Sequence, residues 1–221
     1  QYTHEDPVLN ESVTLLGEQA AQVVERVRYG TLRAGVNVLI ANGTGRSDIN
    51  TPISITVQRR AVRALKRQNA RPITKIIRST ANFGTENVAP GFVGLIHPDL
   101  ESDVRNMANF VPAEKYGTMT PWENELGKVE DVRYVSSTIF APFADAGGAK
   151  AGASGTCLST SGTSAGVYPI LYLGQDAYGI VALKGGYAIT PTVVNPKPSD
   201  SDPLGQRGHA GWKTMQGAVI H

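Results

Sequence analysis

Cysteine is almost absent: the one thiol, Cys157, excludes an internal disulfide and a thiolate-rich zinc site, and fits a reducing compartment. No stretch approaches the eighteen or so apolar residues of a membrane span, and the opening residues lack the basic-then-apolar plan of a secretory signal. Excess charge of either sign is also missing. Lys and Arg number 21 against 19 Asp and Glu, a net charge of +2, so binding to nucleic acid or membrane would have to come from local clustering. The four histidines, His4, His97, His209 and His221, are scattered and share no metal-ligand spacing. There is no dinucleotide glycine pattern after a first strand. Asn42-Gly43-Thr44-Gly45 lacks the Gly-Lys-Ser/Thr ending of a phosphate loop and reads as an ordinary turn.

What is present suits one large domain or two lobes with a substantial core. Asp6-Pro7 is a helix start, and Leu9, Val13, Leu16, Ala20, Val23, Val24 and Val27 recur at helical spacing until Gly30, predicting about six turns. Val36–Ile40 reads as a strand, Thr51–Ala70 as a second helix capped by Thr56, and Pro72–Ile77 as another strand. Residues 79–90 read as a polar loop. Phe92–Ile96 is a short apolar strand that ends at His97-Pro98, and Leu100, Val104 and Met107 form the apolar stripe of a helix over Pro98–Met107. Glu125–Val135 predicts two strands about a tight turn, and Ala146–Gly166, nearly all Gly, Ala, Ser and Thr, predicts a mobile loop. Tyr168–Leu173, Ile180–Leu183 and Tyr187–Val194 continue as strands, with a helical turn over Gln175–Tyr178, and Trp212–Ile220 reads as one returning strand. The chain starts at Gln1 and stops at His221 with nothing to close that strand, so further residues are expected on both sides.

Two features carry possible chemistry. His97, with Asp99 two residues on, is the best single acid–base candidate, against the plainer reading of a histidine that hydrogen-bonds at a strand-to-helix turn. Glu101 and Asp103 are i and i+2 on a helix and cannot act jointly, and Cys157 has no fixed base beside it. The second feature is a run of cations, Arg59, Arg60, Arg63, Lys66 and Arg67, with no acid between Gln58 and Arg71. Such an arc could meet phosphates, or serve as a solvated face or a dock for an acidic neighbour.

Three stretches in sequence carry a resemblance: Gly91–Asp99, Asn124–Val135, and Asp202–Gly208 followed by Gly211-Trp212-Lys213. Together they resemble the major capsid proteins of tailed bacteriophages in the N-four-type family, which usually carry Gly-Glu-Ile-Gly where this chain has Asn124-Glu125-Leu126-Gly127. The resemblance implies the Hong Kong 97-like capsid fold, an α+β architecture. Residues 1–50 and 187–221 would be the two parts of a peripheral domain with its spine helix and long strands, and 51–186 an axial domain of mixed sheet flanked by helices. The family's N-terminal arm, extended hairpin and extreme C-terminus would lie outside this sequence. The implied role is a structural subunit of a phage or prophage capsid, self-assembling into an icosahedral shell around double-stranded DNA, with no catalytic, cofactor-binding or metal residues. Its partners would be itself, in hexameric and pentameric capsomers, with scaffolding and portal proteins and DNA met by charge alone. No membrane is implied. It would be located in the virion and assembled in the bacterial cytoplasm. Arg59, Arg60, Arg63, Lys66 and Arg67 would be a DNA-facing or subunit-contact patch, and Asp202 and Arg207 would lie in a subunit-contact loop. Two rival readings remain, a nucleic-acid-binding module using residues 58–71 and a small-molecule α/β enzyme using His97.

Overall fold

The computed structural model describes residues 8–77, 85–117, 119–150, 157–181, 189–205 and 207–221. They form two compact units: the start of the chain to Thr31 with Tyr178–Ile220, and Leu32–Ala177 with His221.

The first unit is built on helix α1, Val8–Arg33. The helix runs through Gly30, where the sequence predicted a stop. A glycine costs an interior helix position only about 1 kcal/mol, and Leu32 and Arg33 beyond it are strong helix formers. Of the predicted apolar stripe, Ala20 and Val24 are buried while Val13 and Val27 are exposed. The unit also holds two antiparallel ribbons. Strand β7 (Tyr178–Ile180) pairs with β10 (Ala218–Ile220), and β8 (Thr190–Val194) with β9 (His209–Lys213). The returning strand predicted over Trp212–Ile220 is therefore two strands of different ribbons. Tyr178 lies in β7 rather than at the end of a helical turn, and of the strand predicted over Ile180–Leu183, Ile180 ends β7 while residues 182–183 lie outside the described residues.

The second unit contains the main core. Helix α2 spans Ile55–Arg67, shorter than predicted, and its N-cap is Ser54, whose hydroxyl accepts from the Val57 amide, rather than Thr56. Strand β1 (Ile73–Ile77) pairs antiparallel with β2 (Thr85–Ile96), a long strand that absorbs Thr85–Pro90 where a loop was predicted. Pro90 lies where the register with β1 shifts, which is where a proline lacking an N–H is tolerated. After β2 come a 3-10 turn, Pro98–Leu100, and a short helix α3, Glu101–Arg105, in place of one continuous helix. Strands β3 (Phe110–Pro112), β4 (Glu125–Val129), β5 (Val132–Ser136) and β6 (Leu171–Leu173) complete a six-stranded sheet in the order β1-β2-β5-β4-β3, with β6 on β2. The β2–β5 pair is parallel and the others antiparallel, so the sheet is mixed and the architecture α+β.

Phe92, Ile96, Leu126, Val129, Val132 and Tyr134 of the sheet form one buried cluster with Val62 of α2 and with Val104 and Met107. Two glycines let the strands close this tightly. A Cβ at Gly94 would lie 2.8 Å from the ring of the buried Tyr134, and one at Gly127 would lie 2.5 Å from the Val111 carbonyl across the β3–β4 pair.

Val36–Ile40 is not a strand. Its Val36 and Val38 side chains are 93% and 72% exposed, and no strand pairs with it among the described residues. Ala146–Gly166, apart from residues 151–156, which lie outside the described residues, is held rather than loose. Phe143 and Val167, and Ala149 and Ser164, form isolated bridges, and the Gly147 amide donates to the Ala165 carbonyl at 2.8 Å.

Candidate functional site

The cation run becomes one wall of a surface depression. In a helix, residues three and four apart share a face, so Arg59, Arg63, Lys66 and Arg67 line up along α2 while Arg60 points off that row. The depression is open, with a volume of about 450 Å³, and its opposite wall is Glu130-Asp131, the turn joining β4 to β5. Buried Gln58 and Val62 complete it.

Two of the cations are taken. Arg59 Nε donates to both carboxylate oxygens of Glu130 at 3.1 Å, and its Nη2 makes a further close bond to the same group. Lys66 Nζ lies 2.6 Å from Asp131 Oδ2. The Arg59 hydrogen bond holds the Glu130 carboxyl below the usual carboxylate range, and reciprocally raises the Arg59 guanidinium. Arg60, Arg63 and Arg67 are exposed and have no carboxylate partner among the described residues.

The turn is fixed in place from below. Gln58 Nε2 donates to the Val129 carbonyl at 2.8 Å, Tyr134 Oη donates to Gln58 Oε1 at 2.7 Å, and Tyr172 Oη lies 3.0 Å from Tyr134 Oη. Because Tyr134 gives its only proton to Gln58, Tyr172 must be the donor of the last bond. Burial pushes the Tyr172 hydroxyl up to about 12, and that of Tyr134 far up as well. A second polar cluster, unmarked in the sequence, sits further along β4 and β5. Arg133 Nε donates to Glu125 Oε1 at 2.8 Å with both side chains essentially enclosed, 4% and 0% exposed. Glu125 also accepts from the Tyr116 hydroxyl and the Trp122 amide, and the Arg133 guanidinium lies 4.3 Å above the Trp122 ring. Only the alternation of Glu125–Val135 hinted that these charges belong to strands, and nothing local marked them as buried.

His97 serves as a cap. Its Nδ1 accepts from the Asp99 amide at 3.3 Å at the start of the 3-10 turn, and Asp99 Oδ2 accepts from the Tyr168 hydroxyl at 2.7 Å. Tyr168 is pushed up to about 12, by burial first and then by that bond. His4 lies outside the described residues, and His209 and His221 are exposed. No group of three His, Cys, Asp or Glu among the described residues could hold a metal ion. The Thr44 and Gly45 amides of the glycine turn are not free for an anion, since Asp48 Oδ2 accepts from Thr44 N at 2.8 Å and Gly45 N at 3.0 Å. Cys157 is partly buried, its thiol on the Asn50 carbonyl at 3.2 Å, and burial raises it away from the thiolate. Asp202 and Arg207 are brought together through the main chain, where the Arg207 amide donates to Asp202 Oδ2 at 2.7 Å.

Mixed sheet, enclosed ion pair, capping histidine and charged helix face together define an α+β protein whose most charged described surface is the α2 face and the Glu130-Asp131 turn. The chain matches the phage capsid protein family over residues 3–198, and it belongs to that family. It is a structural capsid subunit, placed in the virion and working by assembly with copies of itself. No curated protein matches the chain. Among the described residues, no helix is long and apolar enough to cross a membrane.

Proposed function

We propose that the chain is the major capsid subunit of an N-four-type tailed phage or prophage with the Hong Kong 97-like fold, its copies closing as hexameric and pentameric capsomers into an icosahedral shell around double-stranded DNA. The observation that carries this reading is the family match across residues 3–198. A peripheral domain over 1–50 and 187–221 and an axial domain over 51–186 are part of this reading, and a chain that divides into one two-part unit and one nearly continuous unit favours such a plan, although residues 32–50 and 178–186 cluster with the opposite unit. Such a shell is held by many modest interfaces repeated by symmetry rather than by any one strong contact. No catalytic step is assigned to the subunit. Scaffolding and portal proteins are its expected partners during assembly in the bacterial cytoplasm, with Asp202 and Arg207 in a loop that meets neighbouring subunits. DNA is met by charge alone, through Arg59, Arg63, Lys66 and Arg67 with Arg60 beside them.

Electron microscopy of the full-length protein, expressed with and without scaffolding protein, tests the reading. Closed shells or hexameric capsomers are expected, and monomers under both conditions would overturn it.

A further inference from the structure

We infer that the Glu130-Asp131 turn is a built-in counterion for the α2 stripe, competing with DNA phosphate for Arg59 and Lys66 and so keeping duplex contact with this face weak and reversible. The inference rests on the proposed meeting of this face with packaged DNA, and adds how that meeting is limited.

Four cations line the depression, and two carboxylates stand opposite them. Each carboxylate is paired with its own cation, Glu130 with Arg59 and Asp131 with Lys66, which leaves Arg63 and Arg67 as the charges a phosphate backbone can claim at once. Arg59, Arg63 and Arg67 follow one another at about 6 Å of helix rise, a row able to track one strand of phosphates. The two carboxylates cannot drift away. They sit on a two-residue hairpin turn whose flanking Val129 and Val132 are directly paired and fully buried, and Gln58 ties the Val129 carbonyl back to α2. The pairs themselves are solvent-exposed, with Arg59 and Lys66 each 57% accessible, and exposed pairs are weak enough for a polyanion to displace. The face thus offers about two cations to a passing duplex and yields two more only against the competition of the turn.

Counterion release makes the count measurable, because each phosphate neutralised adds about 0.9 to the slope of log affinity against log salt. The full-length protein is titrated against a short mixed-sequence duplex by fluorescence anisotropy across a salt series. Glu130→Gln with Asp131→Asn should bind about tenfold tighter at low salt and steepen the slope by about 2. Glu114→Gln with Glu123→Gln, which removes the same charge from exposed sites that do not line the depression, should change little. Arg63→Gln with Arg67→Gln should flatten the slope, whereas Arg59→Gln with Lys66→Gln should leave it near that of the parent, a comparison that holds if the turn variant folds poorly. A turn variant that behaves like the parent or like the charge control overturns the inference and leaves the DNA-facing surface standing. Duplex binding that survives reversal of Arg59, Arg63 and Arg67 to Glu overturns that surface and the inference with it.

Discussion

Gln58 and Arg133 show how single polar residues set the shape of this surface from beneath. Gln58 is 1% exposed, and its amide is satisfied on both sides, by the Val129 carbonyl and the Tyr134 hydroxyl. Tyr134→Phe keeps the ring but leaves Gln58 Oε1 buried without a donor and Tyr172 without its acceptor. It should cost about 1–3 kcal/mol, read as a lower denaturation midpoint at unchanged slope. Adding Gln58→Leu to Tyr134→Phe should cost less than the sum of the two single changes, since the groups left unpaired by one are removed by the other. Arg133 belongs to a different case, an enclosed ion pair. Arg133→Met strands the Glu125 carboxylate among Tyr116, Trp122 and the sheet, and should destabilise by about 3–5 kcal/mol in equilibrium unfolding.

Among the elements, α2 and the two carboxylate-bound loops make the sharpest predictions. Ser54→Ala should lower stability by about 1 kcal/mol in urea unfolding because it removes the acceptor of the Val57 amide, while Thr56→Ala, already inside the helix, should change it little. Asp48 gathers the Thr44 and Gly45 amides, and Asp145 gathers the Ser161 and Thr160 amides, and in both the backbone bonds hold the carboxyl below its ordinary value. A carboxyl lowered on folding stabilises the fold above its unfolded value of about 3.8 and loses that contribution as pH falls through the folded value. Thermal unfolding followed downward from neutral pH should therefore decline below pH 4, and Asp48→Asn with Asp145→Asn should flatten the decline. These loops also mark how much of the molecule its sequence discloses. The β4–β5 hairpin and the cation run follow from local spacing and fold where it puts them, whereas only Ala20 and Val24 of the α1 stripe are buried, Val13 and Val27 are exposed, and the Leu100–Val104–Met107 face spans a 3-10 turn and a short helix rather than one helix. Residues 146–166 look too polar to order, yet the described part is held by Asp145 and by Asn50, contacts that local composition does not encode. Val36–Ile40 errs the other way. Its β-branched residues suit a strand, but a strand needs a partner, and none pairs with it among the described residues. The site splits along the same line, with the five cations visible as a run, and the carboxylate that answers Arg59 lying 71 residues away in sequence.

For the whole molecule, the decisive fact is the unequal provision of core between the two units. The buried cluster around Phe92, Ile96, Val129, Val132 and Tyr134 lies wholly in the Leu32–Ala177 unit. The other unit has a long helix and two ribbons of two strands each, and leaves Val193, Val194, Val219 and Ile220 exposed. Two-stranded ribbons are marginal on their own in water, and apolar side chains left open on them are available for burial between copies when the subunit assembles. Hydrogen exchange on the unassembled subunit should thus find its slowest amides in β2, β4 and β5, with β7–β10 and β8–β9 exchanging orders of magnitude faster. In assembled particles the gap should narrow, because burial between copies protects the ribbons while the β2–β5 core is already near its limit. Equal protection of both units in the free subunit, or ribbons that exchange as fast in particles as in solution, would mean that the ribbons are complete without neighbours and that the interfaces of the shell lie elsewhere.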